Sequence, residues 1–226
     1  MEKEKLDITL IDENIKVWQL IDGFRFSVDP IVLVDFFQGK TNGKILDIGS
    51  GCGIIPILLA TKKNMTNIYG VEIQKISADI FKKNIELNNL TDRIKVIEGD
   101  VNEIKEGNSF DYIISNPPYM TVDGKKISDN DNKKIARHEI SLNLDKLIKN
   151  AKRLLKPRGE IFLVHRSYRT FEISRILEDN KFSVKRVCFV YFDKGRESNL
   201  VLIQASKGRK NILKIEDPIF LEEKGY

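Results

Sequence analysis

The stretch Lys44-Ile45-Leu46-Asp47-Ile48-Gly49-Ser50-Gly51-Cys52-Gly53 joins a short apolar run to three alternate glycines. The run has the length of a buried strand. The glycines let the backbone turn sharply out of it and come close to a ligand, where a Cβ would collide. A segment of helical period, Ile54–Lys63, follows, and its N-terminus favours a carboxylate or phosphate at the turn. A dinucleotide-binding turn takes Gly-x-Gly-x-x-Gly, whereas here the third glycine comes one residue early.

Outward from this turn, apolar runs alternate with helical segments, the pattern of a parallel α/β sheet. Strands are expected at Lys44–Ile48, Asn67–Val71, Ile94–Glu98, Phe110–Ser115, Glu160–His165, Ser183–Phe192 and Asn199–Ala205. Helices are expected near Ile54–Lys63, Ile76–Asn88, Leu144–Leu155 and Thr170–Asn180. Pro157-Arg158-Gly159 closes one helix and turns into the next strand. The last two strands are joined only by Asp193–Ser198, too short for a crossover, and so predict an antiparallel hairpin. The first 40 residues form an extension, with a helix over Ser27–Phe37 capped by Ser27.

A chain of 226 residues can bury a core without disulfide or metal support. No apolar run approaches the roughly 18 residues that cross a bilayer. The charged start, Met1-Glu2-Lys3-Glu4-Lys5, leads into no signal-type apolar core. Cys52 and Cys188 lie far apart and form no metal-type pair, and a cytoplasmic location is expected. The net charge of +5 suits a polyanionic partner as well as it suits a solvated lysine surface.

Two acids follow strands in order. Glu72 ends the second strand, where an acid can accept both ribose hydroxyls of a nucleoside, and Asp100 follows the third. After the fourth strand comes Asn116-Pro117-Pro118-Tyr119. An amino group on an aromatic ring is a poor nucleophile, because its lone pair is delocalised. Acceptors for both of its hydrogens hold that lone pair out of the ring. Asn116 offers a side-chain carbonyl and Pro117 a backbone carbonyl on a rigid ring. Tyr119 offers a flat face on which an unstacked base can lie. The polar stretch Met120–Glu139, with Lys125, Lys126, Lys133, Lys134 and Arg137, is long enough to grip a substrate. Arg166, Arg169, Arg186, Lys194, Arg196, Arg209 and Lys210 could add phosphate contacts on the same rim.

The Asp-x-Gly-x-Gly-x-Gly turn ending at Gly53 resembles the first motif of class I S-adenosylmethionine methyltransferases. The tetrad resembles that of enzymes methylating the amino group of adenine, of guanine in ribosomal RNA, or of a protein glutamine. Over nearly its whole length the chain resembles the bacterial tRNA1(Val) adenine-N6 methyltransferases. The likeness runs through Gly23–Asp29, Ala136-Arg137-His138-Glu139, Leu163–Arg166 with Arg169, and Ile215–Pro218 leading to Gly225-Tyr226.

That resemblance implies a Rossmann-like α/β fold: a seven-stranded class I methyltransferase sheet, mostly parallel, with a C-terminal antiparallel hairpin and helices on both faces. It implies one domain, an extension over 1–40 packing on a methyltransferase domain over 41–226. The implied cofactor is S-adenosyl-L-methionine, held by Asp47, Gly49, Ser50, Gly51, Cys52, Gly53, Glu72, Ile73, Asp100, Val101 and Asn116. Catalysis falls to Asn116, Pro117, Pro118 and Tyr119. Arg25, Lys125, Lys126, Arg137, His138, Arg166 and Arg169 would touch the substrate, an RNA and foremost a tRNA, with no metal and no membrane. A protein glutamine methyltransferase would need a larger N-terminal helical domain, and a DNA adenine methyltransferase a target-recognition region. A non-catalytic RNA-binding module would not need every chemical position intact.

Overall fold

The structure, a computed structural model, describes residues 6–11, 13, 15–20, 27–119 and 144–224. It opens with an antiparallel hairpin of β1 (Leu6–Leu10) and β2 (Lys16–Leu20). The sequence places a helix over Ser27–Phe37 in the extension and does not mark this hairpin. The hairpin's signal lies in β2, where Val17 and Gln19 alternate inward to 0% and 3% exposure. Helix α1 then spans Asp29–Phe36, with Pro30 in its first turn, where a missing N–H costs nothing. Its N-cap is Val28, not Ser27; the Ser27 hydroxyl lies 3.4 Å from the Asp29 N–H, one residue too early to cap.

The main sheet carries β3 (Ile45–Ile48), β4 (Ile68–Glu72), β5 (Ile94–Glu98), β6 (Phe110–Ser115), β7 (Leu155–Arg166), β8 (Phe182–Tyr191) and β9 (Leu200–Lys207). Short strands β10 (Lys214–Ile215) and β11 (Ile219–Phe220) line the free edge of β8. Across the sheet the order is β10-β8-β9-β7-β6-β3-β4-β5. Strands β3 to β7 run parallel, and β9 lies antiparallel between β7 and β8. The C-terminal hairpin is therefore present and fills the interior of the sheet. Strand β7 starts five residues before its expected start; Arg158 takes a left-handed φ of 65°, and the ladder to β6 shifts register between Phe110 and Tyr112.

Five further helices are α2 (Ile54–Lys62), α3 (Lys75–Leu87), α4 (Leu144–Leu154), α5 (Thr170–Asp179) and α6 (Leu221–Lys224). Alternation along the strands sends successive residues to opposite faces. Ile45, Ile114, Phe162 and Leu202 pack with α1, α2 and α3 on one face. Leu46, Ile113, Ile161 and Val201 pack with α4 and α5 on the other. Every residue of α2 from Ile54 to Ala60 is buried, so this helix is apolar all round rather than striped.

The C-terminal strands are tied to α1 by Arg186, 5% exposed. Its guanidinium donates to Glu216 at 2.8 and 2.9 Å and to Gln204 at 2.7 Å, and it lies 4.2 Å from the Phe36 ring. Arg186 is therefore not a rim contact for phosphate. Arg209 and Lys210 follow the end of β9, and since β9 runs antiparallel they begin at the end of the sheet away from Tyr119.

Candidate functional site

Because β3 to β7 are parallel, Asp47, Glu72, Asp100 and Asn116 all gather at one edge of the sheet, at or just past the carboxyl ends of their strands. That is where open α/β sheets hold ligands. Ser115 fixes the register there, its hydroxyl donating to Ile48 O at 2.8 Å.

The glycine turn is pinned from both sides. Glu72, 7% exposed, accepts the Gly51 N–H on Oε2 at 2.7 Å and the Gln74 N–H on Oε1 at 2.9 Å. Ser50 is buried, and its hydroxyl donates to Asp47 O at 3.1 Å, which holds the turn shut. Gly53 has φ 87°, and a Cβ there would lie 1.9 Å from the Phe81 ring, so this glycine serves packing. A Cβ on Gly49 or Gly51 would meet nothing within 4 Å among the described residues, unlike one on Gly53.

Asp47 is fully buried and neither carboxyl oxygen has a hydrogen-bond partner among the described residues. Burial, with the charge of Glu72 adding to it, pushes its carboxyl up to about 8. A buried carboxyl group without a hydrogen-bond partner among the described residues, beside the glycine turn, fits a cationic ligand group whose charge would draw off its proton. Ile73, next to Glu72, leaves 54% of its surface exposed, an apolar wall of the kind that a planar ring covers. Asp100 Oδ1 accepts from Asn102 N at 2.8 Å and Asn102 Nδ2 at 2.7 Å, and the following Val101 is buried. Cys52 is a half-buried free thiol whose carbonyl accepts from Asn84 Nδ2 at 2.9 Å. The site thus offers acceptors for an ammonium and for hydroxyls, and an apolar face for a ring.

Past β6, Pro117 is buried and Pro118 exposed, with Asn116 and Tyr119 half-buried. The Tyr119 hydroxyl contacts Asp29 Oδ2 and lies 2.7 Å from Asn116 Oδ1. Its ring sits 5.1 Å from the His165 ring, tilted by 58°, with the Arg166 guanidinium 4.8 Å from its centroid. Burial, then the charge of Asp29, raise the phenol far above the ordinary range, so Tyr119 stays protonated. His165 is 2% exposed and faces Arg169 Nη1 at 3.0 Å; burial first and that cation second hold it down to about 4.

Arg166 also donates to Asn199 Oδ1 at 2.6 Å and forms the near wall of an open groove of about 550 Å³. Tyr168, Phe189, Tyr191 and Glu197 line the rest, with Tyr168 78% exposed. Arg169 is turned inward and held by Glu172 at 2.5 and 2.7 Å. Lys194 and Arg196 are exposed and paired with Glu223 and Asp193. Arg25, Lys125, Lys126, Lys133, Lys134, Arg137 and His138 lie outside the described residues. The sequence assigns Asp29, Asn84 and His165 no role in the site: Asp29 and His165 fall in the family-like stretches Gly23–Asp29 and Leu163–Arg166, but a stretch does not show which partner a side chain meets. Among the described residues no group of three or more His, Cys, Asp or Glu could hold a metal, and no helix is long and apolar enough to cross a membrane.

The methyltransferase small domain family matches residues 29–188, from α1 through most of β8. The chain belongs to that family. A relative named tRNA1(Val) (adenine(37)-N6)-methyltransferase, from Tolumonas auensis, is 32% identical to this methyltransferase over 184 residues, 81% of this chain and 76% of the relative. One of the same name from Dyadobacter fermentans is 30% identical over 205 residues, 88% and 83% of the two chains. The methyltransferase shares their family. Among solved structures it is similar to Methanocaldococcus jannaschii Trm5 in complex with adenosine, with TM-score 0.67 and 19% identity over 92% of this chain and 58% of that one. Pyrococcus horikoshii TYW2 in complex with MeSAdo gives TM-score 0.66 at 14% identity, over 92% and 73%. At these identities the structural likeness shows the fold of the methyltransferase.

Proposed function

We propose that this methyltransferase transfers a methyl group to the exocyclic N6 of an adenine in the anticodon loop of a tRNA, in the cytoplasm. The observation that carries this is the placing of Asn116–Tyr119 at the end of β6, between the glycine turn with its unpartnered Asp47 and the groove beyond Arg166. The relatives' shared activity supports the same substrate. The chain works as one domain, with its N-terminal extension built into the site through Asp29.

S-adenosylmethionine, when bound, supplies an electrophilic methyl group. Glu72 suits its ribose hydroxyls, Asp100 its adenine amino group and Asp47 its ammonium. Asn116 Oδ1 and the Pro117 carbonyl accept the two hydrogens of the target amine and hold its lone pair out of the ring. The two prolines keep these acceptors in place before the substrate arrives. The Tyr119 ring takes the face of the unstacked base, and Arg166 and Tyr168 hold the neighbouring nucleotide by charge and stacking. The attacking nitrogen sheds its extra proton after transfer, so no general base needs to stand beside it. His165, kept neutral, is suited to packing against Tyr119 rather than to carrying charge.

The test is incorporation of label from radiolabelled S-adenosylmethionine into tRNA lacking the modification, alongside ribosomal RNA and protein extract. Label recovered from tRNA as N6-methyladenosine is the expected result. Label in ribosomal guanine or protein glutamine would overturn the substrate. No label anywhere, with cofactor still bound, would leave a non-catalytic RNA-binding module.

A further inference from the structure

The Tyr119 hydroxyl sits against two oxygens, one on Asp29 and one on Asn116, the latter at 2.7 Å. A phenol has a single proton and can donate it to only one of them. The carboxylate is the stronger acceptor, and charge-assisted bonds are about twice as strong as neutral ones. Once Asp29 takes that proton, the Tyr119 and Asn116 oxygens face each other lone pair to lone pair. A half-turn of the Asn116 amide removes the conflict. Nδ2 then donates to the Tyr119 oxygen, and Oδ1 points to the side away from Tyr119.

We propose that Asp29 is a positioning residue for methyl transfer: it takes the proton of Tyr119, makes Tyr119 an acceptor for the Asn116 amide, and thereby frees the Asn116 carbonyl for the target amine. This rests on the function proposed above. The chain of donors runs one way, from Asn116 Nδ2 to Tyr119 O and from Tyr119 O–H to Asp29. Each member is fixed in place. Asp29 is 7% exposed in the first turn of α1, and the Tyr119 ring is held by His165 and Arg166. Tyr119 remains protonated, so it always has the proton to give. The extension before the glycine turn thus orients a catalytic side chain, that of Asn116, through one hydroxyl, that of Tyr119, which lies 90 residues after Asp29 in the sequence.

Asp29→Asn keeps the shape and reverses the chain. Its amide donates to the Tyr119 oxygen, Tyr119 donates to Asn116 Oδ1, and that carbonyl is engaged. The experiment measures kcat and KM on whichever RNA of an unmodified pool the wild type methylates, for Asp29→Asn, Tyr119→Phe and the double variant. Asp29→Asn is expected to lower kcat by about tenfold to a hundredfold, at or below the cost of deleting one transition-state contact, because the carbonyl is misdirected rather than lost. The KM for the cofactor should hold. In the Tyr119→Phe background the Asp29 change should cost nothing further, because the hydroxyl that transmits it is gone. Equal losses in both backgrounds, or an unchanged kcat, would overturn the relay.

A second readout needs no RNA. Followed by ultraviolet difference from Tyr119→Phe, Tyr119 should stay un-ionised in the wild type across the alkaline range in which the protein remains folded, and its titration should move down towards that range in Asp29→Asn. Ionisation of Tyr119 in the wild type within the ordinary phenol range overturns the relay. A wild type that methylates no RNA while the titration moves as expected overturns the proposed function and leaves the Asp29–Tyr119 contact standing.

Discussion

Glu72 and Gly51 stand 21 residues apart in sequence, and Glu72 Oε2 accepts the Gly51 N–H at 2.7 Å. The carboxylate that ends β4 therefore also shapes the glycine turn that ends β3. Glu72→Ala removes a charged acceptor from two backbone donors, each worth roughly 1.5–3 kcal/mol. Water will replace part of that, so chemical denaturation should show a loss of about 3 kcal/mol. Cofactor affinity should fall by far more than it does in Glu72→Gln, which keeps one acceptor oxygen.

Asp47 makes stability fall as pH rises. Its carboxyl is raised from 3.8 to about 8, so across that window the native state keeps a proton that the unfolded chain has released. Asp47→Asn removes the penalty. Its melting temperature should exceed the wild type's most at pH 8, and the gap should close towards pH 4. His165 acts in the opposite sense, since its drop from 6.5 to about 4 costs stability as pH falls through that range. A melting profile of Asp47→Asn parallel to the wild type's across both windows would rule out the buried carboxyl as the cause.

Asn84 joins the N-terminal hairpin to the glycine turn. Its amide accepts from Trp18 N at 2.7 Å and donates to Trp18 O at 3.0 Å and Cys52 O at 2.9 Å. Asn88, one turn on, donates to Lys16 O at 2.8 Å. Asn84→Ala leaves buried backbone groups without partners, at about 1–3 kcal/mol each. Hydrogen exchange should quicken along β2, and cofactor binding should weaken severalfold through Cys52.

Tyr168 and Arg166 should separate stacking from charge in the groove. Tyr168→Ala should weaken RNA binding about tenfold, the lower half of the range of roughly 1–3 kcal/mol per stacked base. Arg166→Ala should weaken it and also flatten the salt dependence by about one unit of slope. Neither should change cofactor affinity. RNA titrations at several salt concentrations decide this, and unchanged binding in both variants would remove the groove from the substrate's path.

The core of the fold was legible because period-2 and period-3.6 patterns are local. β5 and β6 fall on their expected residues, and α2 to α5 lie within a residue or so of theirs. The β1–β2 hairpin was not read because its alternation is short and half polar. The bend at Arg158 hid the true start of β7. In the site, the glycine turn, Glu72 and Asn116–Tyr119 announce themselves by position after a strand. Asp29, Asn84 and His165 act only through partners that folding brings to them, and no spacing marks those partners. Arg186 misled for the complementary reason: a sequence shows its charge but not the Glu216 that already matches it.

In the proposed reaction Asn116 directs the target amine. The most direct test of that role is the single-turnover rate of Asn116→Ala on unmodified tRNA, with cofactor affinity measured on the same protein. The expected rate is lower by about a hundredfold or more, as for loss of one preorganised contact to the reacting group, with cofactor affinity within a few fold of the wild type's. A rate close to the wild type's, with cofactor still bound, would contradict it.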